Sequence, residues 1–308
     1  MSKLSSIIRS NDHGLLLLNR YHEWSNRHNL KKYTDEEQIK RWYYKKSGGR
    51  YPDLKDPKTF SEKQQWYKLH HHDPLMAKCA DKYDVREYVT TCGFGGYLNE
   101  VLGLYDRAED IDPDKLPDRC VIKATHGSGF NLIVRDKSKI NWKLWKKIMA
   151  SWLRQDIYWS GREWVYKELP HRLVVEKYLE DDTGGLLDYK FYCFNGKLAF
   201  MQLEVGRFTE HNTRNFYDMD WNLLPFGKEL EHDPTVVVEK PTTFEEMKRI
   251  AAALCKPFTY VRVDLYSVGG KVYFGELTFF PAGGAPDLKP PEYDRVIGDM
   301  WDISEYMT

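Results

Sequence analysis

The sequence lacks any apolar run near the ~20 residues a membrane-spanning helix needs. Residues 1–10 carry charges and no apolar core, so no signal peptide is expected. Cysteine is sparse: Cys79, Cys92, Cys120, Cys193 and Cys255 are odd in number and contain no C-x-x-C pair. That sets aside a disulfide framework or a cysteine zinc site and makes a reducing cytoplasm the expected setting. Net charge is also missing, with 46 Lys and Arg balancing 46 Asp and Glu in 308 residues. General nucleic-acid binders need a cation surplus, so that class is set aside too. No internal repeat or low-complexity tract occurs, which speaks against solenoids and disorder.

What is present is a globular composition, 42% hydrophobic and 30% charged. The length fits one large α/β domain or two to three subdomains. Residues 1–50 read as helical. Within them, Arg41-Trp42-Tyr43-Tyr44-Lys45-Lys46 is a basic aromatic stretch that could touch a membrane face or an acidic polymer, although a solvated helix side is the simpler reading. Thr59-Phe60-Ser61-Glu62 has the form of a capping box opening a helix to about His70. Asp73-Pro74 restarts a helix, and Asp81 is expected to cap a third, running to about Thr91.

Beyond Pro117 the pattern turns to period two. Strands are expected at 120–125 and 132–135 around a turn at His126–Asn131, then a helix at 142–154 and a strand at 173–179. Asp188–Phe194 and Lys197–Leu203 flank Asn195-Gly196, a strong hairpin signal. Phe244, Met247, Ile250, Ala251 and Leu254 follow helical spacing. A last hairpin joins 261–267 to 271–278. Hairpins separated by single helices predict an α+β fold with antiparallel sheets.

Three constellations can carry chemistry. On the last hairpin, Val261, Val263, Leu265, Tyr273 and Leu277 are apolar at odd positions, and Arg262, Asp264, Glu276 and Thr278 fall at even ones. A two-residue Gly269-Gly270 turn would put Asp264 and Glu276 on opposite faces. A three-residue Val268-Gly269-Gly270 loop would put them together and keep the apolar set together, so that loop is expected. Paired carboxylates need a neutralising cation such as Mg²⁺, and Arg262 beside them could hold a phosphoryl or acyl oxygen. A surface salt-bridge ladder is the plainer alternative. Lys123 in an apolar strand needs an anionic partner, and His126-Gly127-Ser128-Gly129-Phe130-Asn131 beside it can bring backbone N–H groups to phosphates. In isolation, an ordinary glycine-containing turn beside an edge lysine is the better reading of that segment. Val174-Val175-Glu176-Lys177-Tyr178-Leu179, followed by Asp188-Tyr189-Lys190, can offer backbone groups, a carboxylate and a lysine to a nucleotide, although alone the segment reads better as an ordinary strand and hairpin.

In order along the chain, these segments resemble the ATP-grasp superfamily, and the TupA-like ATP-grasp family most closely. The resemblance lies in DPKTFSEKQQWYKL (56–69), ADKYDVREYV (80–89), CVIKATHGSGFNLIV (120–134), LVVEKYL (173–179), DYKFYCFNGK (188–197), RNFYDMDWN (214–222) and VRVDLYSVGGKVYFGELTFFPAGG (261–284). It implies an ATP-grasp fold: a helical region at 1–115, a small subdomain with the glycine flap at 116–178 and a large metal-site subdomain at 179–308. It implies ATP and Mg²⁺ as cofactors. Lys123 and Lys190 would bind phosphates, with His126, Gly127, Ser128 and Gly129 in the flap. Glu176, Lys177 and Leu179 would frame adenine and Asp188 the ribose. Asp264, Glu276 and Thr278 would hold metal, with Arg262 and Lys190 at the reacting phosphoryl group. Thr278 stands where many ATP-grasp ligases have Asn.

The implied reaction joins a carboxylate to an amine through an acylphosphate. The family's association with surface polymers and capsules suggests an amino acid or peptide and a uronic-acid-type sugar. Arg207, His211 and Arg214, in a polar segment after the third hairpin, could grip an anionic sugar, and a solvated loop explains them equally well. The competing class is a metal-dependent glycan-modifying transferase, a kinase or a glycosyltransferase. The latter would use a D-x-D motif; Asp218-Met219-Asp220 has that form, but Asp220 precedes Trp221 in a turn-like stretch, which marks it as a decoy.

Overall fold

The computed structural model describes residues 11–180, 186–205, 213–229 and 232–307. Its contacts divide the chain into two compact units. One is Met1–Gln38, Asp81–Asp84 and Asn99–Tyr178, and the other is Ile39–Ala80, Val85–Leu98 and Leu179–Thr308. Each contains an antiparallel sheet and helices, the α+β class read from the sequence. No helix among the described residues is long and apolar enough to cross a membrane.

In the first unit, helix α1 (Asp12–Ser25) precedes a short π-helical turn. Helix α2 (Asp35–Lys46) begins in this unit and crosses the division. In the second unit, helices α3 (Phe60–His70), α4 (Pro74–Ala80) and α5 (Val85–Thr91) follow. Thr59 Oγ1 accepts the Glu62 amide, and the Glu62 carboxylate reaches back to the Thr59 amide, completing the capping box. The third helix starts later than the sequence suggested. Asp81 Oδ1 accepts the amides of Tyr83 and Asp84, closing a turn, and the helix begins only at Val85. The basic aromatic stretch is partly core, since Tyr43 is buried.

The first unit's sheet has the order β1 (Val101–Tyr105), β4 (Leu173–Lys177), β2 (Cys120–Ala124), β3 (Asn131–Val134). Helix α6 (Trp142–Leu153) presses Leu144, Trp145, Ile148, Met149 and Trp152 into a core with Ile122, Val134 and Val175. A short helix, α7 (Tyr158–Gly161), follows it.

The second unit's sheet has the order β11 (Lys271–Thr278), β10 (Tyr260–Val268), β5 (Asp188–Phe194), β6 (Lys197–Val205), β7 (Thr213–Tyr217), β8 (Leu223–Leu224). A separate pair joins β9 (Gly227–Lys228) to β12 (Leu288–Lys289). Helix α8 (Phe244–Cys255) buries Phe244, Met247, Ile250, Ala251 and Leu254, the residues its spacing selected. The Phe244 ring stacks on Phe191, so α8 covers the sheet face bearing the odd residues of β5 and β10. The even residues point to the other face. Phe60, Phe194, Tyr260 and Trp301 form an aromatic cluster at one end of that face. Helix α9 (Tyr293–Asp299) fastens to α3 through Asp294, which accepts the Ser61 amide at 2.9 Å and its hydroxyl at 2.5 Å.

Removing the capping hydroxyl with Thr59→Ala is expected to cost about 1 kcal/mol. Urea unfolding measures this, and an unchanged midpoint would mean the cap contributes nothing.

Candidate functional site

The last hairpin carries the densest group of charges. Val268 pairs with Lys271 across Gly269 and Gly270, whose φ values of +55° and +73° are those of a two-residue type I′ turn. The three-residue loop expected from the sequence is therefore wrong. The charged residues nevertheless meet, because the register shifts between Asp264 and Leu265: Leu265 faces Phe274, Asp264 faces Glu276, and Gly275 is left as a bulge. A Cβ at Gly275 would lie 2.9 Å from the Asp264 carbonyl oxygen and 3.0 Å from the Tyr266 ring, so the bulge needs glycine. The same shift overturns the face expected for Tyr273. It sits opposite Tyr266, and Val272 and Phe274 take the core positions.

The result is a row of charge on one sheet face. Arg262 grips Asp264 with two hydrogen bonds, Nε to Oδ1 at 2.7 Å and Nη2 to Oδ2 at 2.6 Å. Its Nη2 also donates to Thr278 Oγ1 at 3.1 Å and lies 3.7 Å from Glu276 Oε1. The Thr278 hydroxyl donates to Glu276 Oε1 at 3.1 Å. Lys190 Nζ lies 3.0 Å from Asp264 Oδ2 and pairs with Asp188. Asp188, Lys190 and Asp264 are 3%, 7% and 1% exposed, so solvent screens these charges little. Burial pushes the Asp264 carboxyl above its usual range, against the pull of Arg262 and Lys190. Burial lowers the Lys190 ammonium, but Asp188 and Asp264 outweigh it and the net direction is upward.

Three carboxylates and two cations leave this group one negative charge in excess. Among the described residues no three His, Cys, Asp or Glu side chains gather as a complete metal cage. Asp264, Glu276 and Thr278 offer two carboxylates and a hydroxyl, hard oxygen donors of the kind Mg²⁺ takes beside water and phosphate oxygens. The donor set fits that ion, provided the Arg262 fork yields an Asp264 oxygen.

In the first unit, Lys123 Nζ contacts Glu176 Oε2 at 2.6 Å, between diagonal neighbours on β2 and β4. The loop joining β2 to β3 is anchored at its base. Lys82 Nζ donates to the Gly127 carbonyl at 2.7 Å, and Ala124 N–H to Phe130 O at 2.9 Å. Ser128 and Gly129 at its tip are exposed, and Gly129 has φ +79°. His126 lies beneath, 1% exposed, its Nε2 3.1 Å from Trp152 O and its ring stacked on His171 at 3.7 Å. Burial lowers its pKa to about 4, with His171 adding to the effect. The Lys177 N–H donates to Glu100 O, and its carbonyl accepts the Asn99 amide at 2.8 Å. Both are committed within the unit. Leu179 opens the second unit, half-buried.

Arg207 and His211 lie outside the described residues. Arg214 is held by two carboxylates, Glu204 at 3.1 Å and Glu229. Glu204 is buried directly opposite Asp188 on the neighbouring strand, and Glu229 takes a left-handed φ of +63°. Sequence reading missed Glu204 and Gln202, which faces Lys190. The Asn195-Gly196 turn implies one register, but a bulge between Tyr192 and Cys193 shifts it by a residue. The Asp218-Met219-Asp220 motif is a turn. Asp218 Oδ1 accepts the amides of Asp220 and Asn222, and Oδ2 accepts the Asn222 side chain.

A strand lysine paired to Glu176 beside a glycine loop, and an Arg-Asp-Glu hairpin on a second antiparallel sheet, define an ATP-grasp chain. It belongs to the TupA-like ATP-grasp family, whose model matches residues 62–302. No curated protein matches it. Solved structures similar to it include a D-alanine–D-alanine ligase from Bacillus anthracis, 21% identical over 74% of this chain and 67% of that one, with a TM-score of 0.40. D-alanyl-alanine synthetase A from Vibrio cholerae is 14% identical over 74% and 63%, with a TM-score of 0.41. An ADP complex of N5-carboxyaminoimidazole ribonucleotide synthetase is 12% identical over 71% and 50%, with a TM-score of 0.42. The chain spans about half the length of this last structure and of an ATP complex of the Bacillus anthracis ligase, 50% and 55%.

Two outcomes are expected. Gly275→Ala forces a Cβ onto the Asp264 backbone, at about 1–3 kcal/mol. Amides from Glu276 to Thr278 should then lose hydrogen-exchange protection, and unchanged protection would count against the bulge. His126, neutral when folded, leaves the unfolded chain binding the extra proton below pH ~6.5. Its contribution is complete above that pH and lost as pH falls toward 4, up to about 3 kcal/mol. Unfolding at stepped pH should show a shallower acid slope in His126→Phe than in the wild type.

Proposed function

We propose that this protein is an ATP- and Mg²⁺-dependent carboxylate–amine ligase. It joins an amino acid or peptide to a uronic-acid-type sugar of a cell-surface polysaccharide. The observation that carries this reading is the convergence of Asp264, Glu276 and Thr278 with Arg262 and Lys190 on one sheet face. Membership of the TupA-like ATP-grasp family supports it.

In this reading the substrate carboxylate attacks the γ-phosphate of ATP, releasing ADP and leaving an acylphosphate. The amine then displaces phosphate and forms the amide. Asp264, Glu276 and Thr278 hold magnesium, which offsets the charge of the phosphate oxygens. Arg262 and Lys190 exchange carboxylate partners for phosphoryl oxygens as substrate arrives. Because both cations are already held in place by buried carboxylates, little reorganisation is needed at the moment of reaction. Lys123, currently paired with Glu176, and the amides of Gly127, Ser128 and Gly129 serve phosphate, and Asp188 serves the ribose. Glu176, Leu179 and the Lys177 side chain serve adenine, since the Lys177 amide and carbonyl are already bonded to Glu100 and Asn99.

Arg214 acts at the substrate through its carboxylate partners. Glu204 and Glu229 exceed it by one negative charge, which suits the ammonium group of the amine better than a sugar acid. The glycosyltransferase alternative loses its motif, since both oxygens of Asp218 are spent on its turn.

The test is phosphate release from MgATP with a panel of uronic acids and amino acids. Release should require one acid and one amine and fall at least ~100-fold in Glu276→Ala. No turnover of ATP, with cleavage of a nucleotide sugar instead, would overturn the ligase reading.

A further inference from the structure

Helix α1 has two apolar sides, and only one of them is packed. Leu15 and Leu16 pack against the first unit's core, and Asn19 is buried on the same side. Leu17, Tyr21 and Trp24 follow at intervals of four and three residues, which places them together on the opposite side. They are 65%, 58% and 51% exposed, and the Trp24 ring stacks on His28 at 5.5 Å. Large apolar side chains grouped in this way on a surface mark a contact site.

Along residues 11–32 the exposed charges are of one sign. Residues 11–32 contain two acids, and both are already engaged by another helix of the unit. Asp12 accepts the Trp145 indole N–H at 3.0 Å, and Glu23 pairs with Arg154 at 3.1 Å. His13, Arg20, Lys31 and Lys32 are exposed. Fourteen residues of helix are too short to span a bilayer but long enough to lie in its interface. Tyr and Trp, with an apolar body and a polar tip, suit that depth.

We propose that α1 is a membrane-surface element. Its Leu17–Tyr21–Trp24 side enters the headgroup region of a bilayer rich in anionic phospholipid, and Arg20, Lys31 and Lys32 meet the lipid phosphates. Charge complementarity selects this occupant over a second copy of the chain. A two-fold contact through this side would set the same cations against each other. The proposal is independent of the ligase reading.

The full-length chain would be sedimented with vesicles of phosphatidylglycerol and phosphatidylcholine, and with phosphatidylcholine alone. It should bind the mixed vesicles, release in high salt, and bind the neutral vesicles weakly. Trp24→Ser should weaken binding at least ~10-fold, as loss of one buried aromatic implies. Arg20→Glu should weaken binding to the anionic vesicles alone. Both residues face solvent, and matching thermal unfolding would verify that the variants fold. Absence of binding, equal binding to both vesicles, or variants that bind like the wild type would overturn the proposal. So would self-association abolished by Trp24→Ser in the absence of vesicle binding.

Discussion

The second unit is organised around one desolvated carboxylate. Asp264 is 1% exposed, and a charge removed from water so completely is tolerated only when paired and hydrogen-bonded. Arg262 supplies a two-pronged grip and Lys190 a third contact from the adjacent strand. That demand sets much else in the unit. β5 must lie beside β10 in one register, α8 must cover the opposite face, and β11 must bulge at Gly275 to bring Glu276 and Thr278 alongside. Removing Arg262 would strip Asp264 of two of its three contacts and leave Lys190 alone to offset its charge.

The first unit meets the same constraint on a smaller scale. Lys123 points from an apolar strand and finds Glu176 on the next. The glycine loop above it is fixed at the base by Lys82 and left exposed at Ser128 and Gly129. In both units, the cationic side chains proposed to meet phosphate are paired with carboxylates. Such pairing keeps cations in position while limiting the cost of burying them. It also means that an arriving anion must displace a partner already in place.

Much of the architecture was legible along the chain. Thr59 and Glu62 bond locally, so their capping box can be read from four residues. Phe244 to Leu254 bury one face because helical spacing leaves no other. Asn195-Gly196 makes its turn with φ +48° and +70°, values those residue types favour. The start of α5 was less legible, because an Asp can close a turn as readily as cap a helix, and Asp81 does the former. The partners of Arg214 were not legible at all, since Glu204 comes from the neighbouring strand β6 and Glu229 from the segment after β9.

The sequence by itself determined the long helices, the two central hairpins and the α+β class, because spacing, capping and turn chemistry act over a few residues; it gave no sign of β1, β7 or α9. Only the tertiary structure decided which charges meet. Both long hairpins carry a one-residue bulge, and a single inserted residue moves every later side chain to the other face. The loop that seemed necessary to unite Asp264 with Glu276 is absent, and Gly275 unites them instead. That choice depends on whether a Cβ fits against the backbone of the next strand, a contact that exists only once the sheet has formed.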